Sequence, residues 1–209
     1  MKYISEVISV IRDIVRNIIF QFAKKLNKIT DGNVTPNSVT YTSLFFHIPI
    51  AVLIGLEYNV LGAVLLIVFG LFDSLDGALA RIQKKANDKG MLLDASTDRM
   101  KEVLLYSGAA YALINSGDPN YAVWAVGACG ASLLVSYIKA KGETAIAGKK
   151  LSANEINKVF NDGIMRFEIR MAVLIIGLFT DQLKYAVVFI AITSTFTAIG
   201  RLITITRRL

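Results

Sequence analysis

Nearly the whole chain is taken up by apolar segments long enough to cross a bilayer, and that leaves few folds open to it. Six such segments can be read, at 37–56, 59–80, 90–114, 120–141, 164–180 and 184–204, each close to the roughly 20 residues that a hydrocarbon core demands of a helix. A hydrophobic share of 54% and a mean hydropathy of +0.53 are too high for an ordinary soluble domain of 209 residues. The expected architecture is all-α and integral to the membrane: one domain, 1–209, with a six-helix transmembrane bundle over 36–205. No repeats, low-complexity runs or proline-rich linkers divide it.

Ahead of the first span, Ile4, Val7, Ile8, Ile11, Ile14, Val15, Ile18, Phe22 and Leu26 recur at helical spacing. Lys2, Arg12, Arg16, Lys24, Lys25 and Lys28 lie mostly between them. The pattern predicts a basic amphipathic helix over 1–30, lying in the membrane interface. It lacks the compact apolar run and small-residue cleavage site of a secretory signal. The longest polar break, 142–163, reads as a loop with a short interfacial helix. The single cysteine, Cys129, rules out an intrachain disulfide and a Cys/His metal cluster. His47, the only histidine, has no charged sequence neighbour and reads as a packed helix residue.

The net charge of +7 could suggest nucleic acid, but its placement argues for a membrane and against that partner. With six spans, both termini and the loops after spans two and four share one side. Twenty-two of the 23 Lys and Arg residues fall on that side, and only Lys184 falls on the other. Cytoplasmic loops carry such an excess. Both termini and the polar stretch after span two are therefore expected at the cytosolic face of the cell membrane.

That polar stretch carries the chemistry. Asp73, Asp76, Gly77 and Ala80 fall at i, i+3, i+4 and i+7, one stripe of a helix. Asp94 and Asp98 fall at i and i+4 of the next, and the short linker makes the two helices antiparallel neighbours. Carboxylates at a bilayer edge are costly and mark function by default. Four so close cannot all ionise without cations, and hard oxygen ligands suit Mg²⁺, Mn²⁺ or Ca²⁺ rather than zinc. Gly77 and Ala80 leave room against the backbone, Arg81 can lay a guanidinium on phosphate oxygens, and Gly90 opens the second helix near the positive end of its dipole. The alternative is helix packing through small residues, with the aspartates paired to Arg81, Lys89, Arg99 and Lys101. A cation transporter that uses the aspartates as an ion path is the rival from another class. Such sites tend to lie near the bilayer midplane, whereas these aspartates sit at one end.

The pattern D-x-x-D-G-x-x-A-R-x8-G-x-x-x-D-x-x-x-D is met at every fixed position, by Asp73, Asp76, Gly77, Ala80, Arg81, Gly90, Asp94 and Asp98. It resembles the signature of the CDP-alcohol phosphotransferases, membrane enzymes of phospholipid synthesis. The run Thr35-Pro36-Asn37-Ser38-Val39-Thr40 is similar to the family's P-N-x-x-T start of span one, where Pro36 suits a first helical turn. The resemblance implies transfer of a phospholipid-phosphoryl group from a CDP-linked lipid, CDP-diacylglycerol or CDP-archaeol, to a polar alcohol with release of CMP. It implies two divalent ions, Mg²⁺ or Mn²⁺, on Asp73, Asp76 and Asp94. Asp98 would be the general base, within reach of a metal. A nucleotide pocket of Asn37, Thr40, Asp73, Gly77, Ala80 and Arg81, and a homodimer, follow from the same resemblance.

The acceptor is read from later cations. Lys139, Arg170 and Arg201 end or open spans four, five and six at one depth and could bind an anionic acceptor; snorkelling at span ends is the plainer reading. The run Ser136 to Glu143 resembles the branch of the family that makes phosphatidylinositol phosphate or archaetidylinositol phosphate. There Lys139, Arg170 and Arg201 would hold the phosphate of inositol phosphate. This chain departs from that branch at Lys141 and Gly142, and Ile169 separates Glu168 from Arg170. Glycerol 3-phosphate and serine are the alternative acceptors.

Overall fold

The computed structural model describes residues 2–147 and 165–207, with side chains over 14–145 and 165–207. The part of the predicted 142–163 loop beyond residue 147, with its interfacial helix, lies outside the described residues. Every described element is helical: α1 (Lys2–Ile29), α2 (Pro36–Gly55), α3 (Asn59–Ile82), α4 (Asp88–Asn115), a 3-10 turn (Pro119–Tyr121), α5 (Ala122–Ala147), α6 (Phe167–Phe179) and α7 (Leu183–Thr206). Four stretches are long and apolar enough to cross a membrane: Pro36–Gly55, Asn59–Ile82, Pro119–Ala145 and Leu183–Thr206. They match the first, second, fourth and sixth expected spans. The other two differ for separate reasons. The first half of α4 is charged, and α6 has 13 residues, about 20 Å of helix against a core of about 30 Å.

Local chemistry sets the helix ends. Thr35 and Ser38 cap α2 reciprocally, each backbone N–H donating to the other's hydroxyl at 3.1 Å, a serine version of the capping box. Asn87 caps α4 by accepting from the Gly90 N–H at 2.9 Å. After α3 the chain turns on Lys84, whose φ of 54° is left-handed. The Lys85 N–H closes back on the Ala80 carbonyl at 2.9 Å.

The chain forms two compact units, Met1–Pro49 with Val64–Lys101, and Ile50–Ala63 with Glu102–Leu209. In the first, Ile19 and Ala23 of α1 pack with Val39, Leu75, Ala78 and Leu79. Gln83 adds a polar tie, donating to Asn27 Oδ1 and the Val34 carbonyl, both at 2.8 Å. The apolar side of α1 is thus divided. One stripe is buried on α2 and α3, while Ile14, Ile18 and Phe22, spaced four apart, are exposed.

In the second unit, α7 packs on α5 and α6. Lys184 pairs with Asp118 at 2.9 Å. Its ammonium stands 5.7 and 5.6 Å from the rings of Tyr121 and Tyr185. The α2–α4 crossing depends on Gly108: a Cβ there would fall 2.3 Å from the Ala51 carbonyl oxygen, a backbone atom that cannot swing aside. Gly108→Ala is therefore predicted to destabilise the protein by about 1–3 kcal/mol, through overpacking. Thermal unfolding in detergent would measure this; an unchanged midpoint would show that the crossing adjusts at no cost.

Candidate active site

The candidate site is built within the first unit from three helices. Asp73 and Asp76 lie on α3, Asp94 and Asp98 on α4, and Thr40, Ser43 and His47 form an i, i+3, i+7 stripe on α2. The Lys101 ammonium of α4 hydrogen-bonds Asp73 Oδ1 of α3 and stands 3.3 Å from Asp98 Oδ1. With only 83–87 between the helices, this contact fixes them as the antiparallel neighbours that the sequence predicts.

Each aspartate has its own surroundings. Asp73 Oδ1 takes both Lys101 and the Ser43 hydroxyl, the latter at 3.1 Å. Asp73 Oδ2 lies outside that pair of bonds. Asp76 is buried, and its Oδ2 accepts from the Thr40 hydroxyl at 2.5 Å. Asp98 has Lys101 at Oδ1 and Arg99 at 3.7 Å from Oδ2. Asp94 Oδ1 is buried and accepts no hydrogen bond. An orphan carboxylate oxygen is expensive to bury. One beside two further carboxylates has the chemistry of a hard-cation ligand. In that respect Asp73, Asp76 and Asp94 fit a divalent ion. Among the described residues no three acidic, histidine or cysteine side chains converge tightly enough to form a ligand set in this arrangement. Lys101 and Thr40 take up part of the carboxylate capacity.

The nucleotide candidates sit around this cluster. A methyl on Gly77 would meet nothing closer than the Arg81 guanidinium at 3.8 Å. Packing within the chain therefore does not require glycine there. Arg81 is exposed and folds back, Nε donating to the Gly77 carbonyl at 3.0 Å. Ala80 is half-buried. A Cβ on Gly90 would lie 3.9 Å from Asn37 Oδ1, so Asn37 reaches the first turn of α4.

The acceptor candidates all lie in the second unit. Arg170 and Arg201 are buried, whereas Lys139 is exposed and stands 3.8 Å from Glu143. Arg201 donates to the Val135 carbonyl at 3.2 Å and feels the charges of Arg170, Arg166 and Glu143. Arg170 is 1% exposed. Its Nε and Nη2 both bond Glu102 Oε1, at 3.0 and 2.6 Å, and Nη1 bonds the Met165 carbonyl at 2.9 Å. The glutamate partner of this arginine is supplied by α4, not by its near neighbour Glu168.

Composition and spacing do not single out Ser43, and they offer Lys101 only as one of four counter-charges to the aspartates. His47 is buried as expected, with Nδ1 2.7 Å from the Ser43 carbonyl, but it belongs to the stripe that meets Asp73. The available signal was the i, i+3, i+7 recurrence of Thr40, Ser43 and His47 in an otherwise apolar helix.

A family model described as CDP-alcohol phosphatidyltransferase matches residues 33–199, most of the chain. The chain belongs to this family. The match takes in the whole aspartate signature, and Arg201 falls just beyond it. Among curated relatives, the phosphatidylinositol phosphate synthase of Corynebacterium glutamicum is 37% identical over 113 residues, 53% of this chain and 52% of that protein. The chain thus spans about half the length of that relative. The archaetidylinositol phosphate synthase of Pyrococcus horikoshii is 27% identical over 176 residues, 84% of this chain and 86% of that one. A crystal structure of Mycobacterium tuberculosis phosphatidylinositol phosphate synthase with CDP-DAG bound shares the fold, with a TM-score of 0.76 at 24% identity over 90% of this chain and 94% of that one. The same mycobacterial protein in complex with manganese and citrate gives 0.77 at 23% identity, over 90% and 88% of the two chains.

Burial of the Glu102–Arg170 pair yields a prediction that needs no substrate. Arg170→Gln is expected to cost about 3–5 kcal/mol, because it strands a buried carboxylate. Arg170→Met combined with Glu102→Leu should recover most of that loss. Thermal unfolding of both variants would check it, and a double variant no more stable than the single one would refute it.

Proposed function

We propose that this chain transfers a phospholipid-phosphoryl group from a CDP-linked lipid to a hydroxyl of inositol phosphate, releasing CMP. The observation that carries the reading is the complete family signature, with its aspartates on neighbouring stripes of α3 and α4. The names of the two relatives above support inositol phosphate as acceptor. They are compatible with either CDP-diacylglycerol or CDP-archaeol as donor.

In this reading α2 to α7 supply six spans, α1 lies in the interface, and both termini and the aspartates face the cytosol. The exposed Ile14, Ile18 and Phe22 stripe supports the placement of α1. The one-sided distribution of Lys and Arg supports the orientation. The protein works as a homodimer, by analogy with its family.

The acceptor oxygen attacks the phosphorus that carries the lipid. A new P–O bond forms there as the bond to the CMP phosphate breaks, and CMP leaves with that electron pair. Asp98 takes the hydroxyl proton on its carboxylate. Asp73, Asp76 and Asp94, with Asp98 in reach, would hold two divalent ions, and Thr40 and Ser43 orient Asp76 and Asp73 through the bonds described above. Mg²⁺ or Mn²⁺ bound there supplies charge neutralisation at the diphosphate and the departing phosphate. Asn37, Thr40, Gly77, Ala80 and Arg81 border the nucleotide. Lys139, Arg170 and Arg201 provide the positive field for the acceptor phosphate, and Glu102 and the Met165 carbonyl hold Arg170 in place.

Purified protein given a CDP-lipid and Mn²⁺ is predicted to release CMP with inositol phosphate, and Asp98→Asn should lower kcat by at least about 100-fold. Release only with glycerol 3-phosphate or serine would discard the acceptor assignment. No release with any acceptor and either lipid, from folded protein, would overturn the function. Gly77→Ala separates pocket from packing. It should leave the melting temperature equal or higher, since alanine favours a helix over glycine by up to about 1 kcal/mol, while raising KM for the CDP-lipid. An unchanged KM would take Gly77 out of the pocket.

A further inference from the structure

The exposed charge of the first unit is concentrated at one edge. Lys24, Lys25 and Lys28 are exposed in the last two turns of α1, and Lys84 and Lys85 are exposed in the turn that follows α3. Among the described residues, none of the five pairs with a carboxylate. Asp31 and Asp88 are the exposed carboxylates among the described side chains of that unit.

The fold gathers these lysines from two distant segments. Gln83, which precedes Lys84, donates to Asn27 Oδ1 at 2.8 Å across 56 residues of sequence. Asn27 precedes Lys28 and lies one turn after Lys24. The same amide of Gln83 also bonds the Val34 carbonyl at 2.8 Å. Left-handed Lys84, and the Lys85 N–H that closes on the Ala80 carbonyl, set the turn immediately beyond. Orientation in a membrane asks only that cations fall on one side. It does not ask that two separate segments be tied into one patch.

The exposed stripe of Ile14, Ile18 and Phe22 shares α1 with the first three lysines. A helix that lays such a stripe into a bilayer carries the neighbouring ammonium groups at headgroup level, with their stems along apolar surface. Lys24 already stands 5.1 Å from the centroid of the Phe20 ring. All five lysines are exposed, so no enclosed pocket desolvates a single phosphate. A layer of lipid phosphates is the anion that meets them together.

We propose that these five lysines form a site for acidic lipid headgroups, which gathers the acidic CDP-lipid beside the aspartates. The gathering rests on the interfacial placement of α1 and the phosphotransfer reading above. Gln83 lies about two helical turns past Asp76, so lipid drawn to the patch is held close to the candidate site. Attraction between exposed charges is screened by salt, and the patch is accordingly sensitive to ionic strength.

The test uses the full-length protein in phosphatidylcholine bilayers and a variant with Lys24, Lys25, Lys28, Lys84 and Lys85 all changed to Gln. Electron paramagnetic resonance of trace spin-labelled lipid reports the fraction held at the protein, without substrate. Spin-labelled phosphatidylglycerol should associate with the unaltered protein at least about twofold more strongly than spin-labelled phosphatidylcholine. The preference should vanish in the Gln variant, fall with added sodium chloride, and return when the five lysines are changed to Arg. No preference in the unaltered protein, or one that survives the Gln variant, would overturn the proposal. Inorganic phosphate should weaken the preference no more than sodium chloride of equal ionic strength. A larger effect would assign the lysines to a soluble phosphate and overturn the lipid site. In CMP release, the Gln variant should raise KM for the CDP-lipid at least about threefold with kcat within about twofold. An unchanged KM would refute the gathering of substrate. An unaltered protein that releases no CMP would remove the phosphotransfer reading, whereas the lipid preference is measured independently of it.

Discussion

Burying carboxylates among apolar helices is the constraint around which the first unit is organised. An ionised side chain removed from water without partners costs several kcal/mol, and Asp73, Asp76, Asp94 and Asp98 sit within two helical stripes. Three answers to that cost are visible. Lys101 pairs with Asp73 and Asp98, Thr40 and Ser43 donate hydroxyls to Asp76 and Asp73, and Arg99 stands by Asp98. Asp94 Oδ1 is left without a donor. The remainder of the unit supports this arrangement. The α1 contacts with Leu75, Ala78 and Leu79 and the Gln83 tie to Asn27 and Val34 fix α3, and the Asn87 cap sets where α4 begins.

The second unit meets the same cost differently. Arg170 and Glu102 are both buried and pair through Glu102 Oε1, and the Met165 carbonyl takes a further guanidinium N–H. The Met165 N–H in turn donates to the Thr197 hydroxyl at 3.2 Å, and Arg201 reaches the Val135 carbonyl. These bonds tie the entrance of α6 to α7, and α7 to α5. A buried ion pair adds little net stability, but removing one member is severe. Arg170 thus combines a structural duty with its expected place in the anion-binding field, whereas exposed Lys139 carries no such duty.

Local pattern made much of this legible in advance. The helices lie where apolar periodicity and caps put them, from Pro36 after Thr35 to the turn after Ile82. The signature residues share the stripes that 3.6-residue periodicity requires. The amphipathic first helix was legible only in part. Its apolar residues announce a helix, but periodicity alone cannot divide them between a protein-facing stripe at Ile19 and Ala23 and an exposed one at Ile14, Ile18 and Phe22. His47 is by sequence an ordinary packed residue, and only its helix neighbours Ser43 and Thr40 place it on the stripe beside the aspartates.

By itself the sequence determined the helical class and the positions of the four aspartates along α3 and α4. Each is a matter of composition or of spacing within a few turns. Only the tertiary structure decided which partner each charge received: Lys101 for Asp73, 28 residues away, Thr40 for Asp76, 36 residues away, and Glu102 rather than the nearby Glu168 for Arg170, 68 residues away. Helical periodicity says which face a residue occupies. It carries no information on which distant side chain will stand opposite, because that depends on how the helices cross and pack.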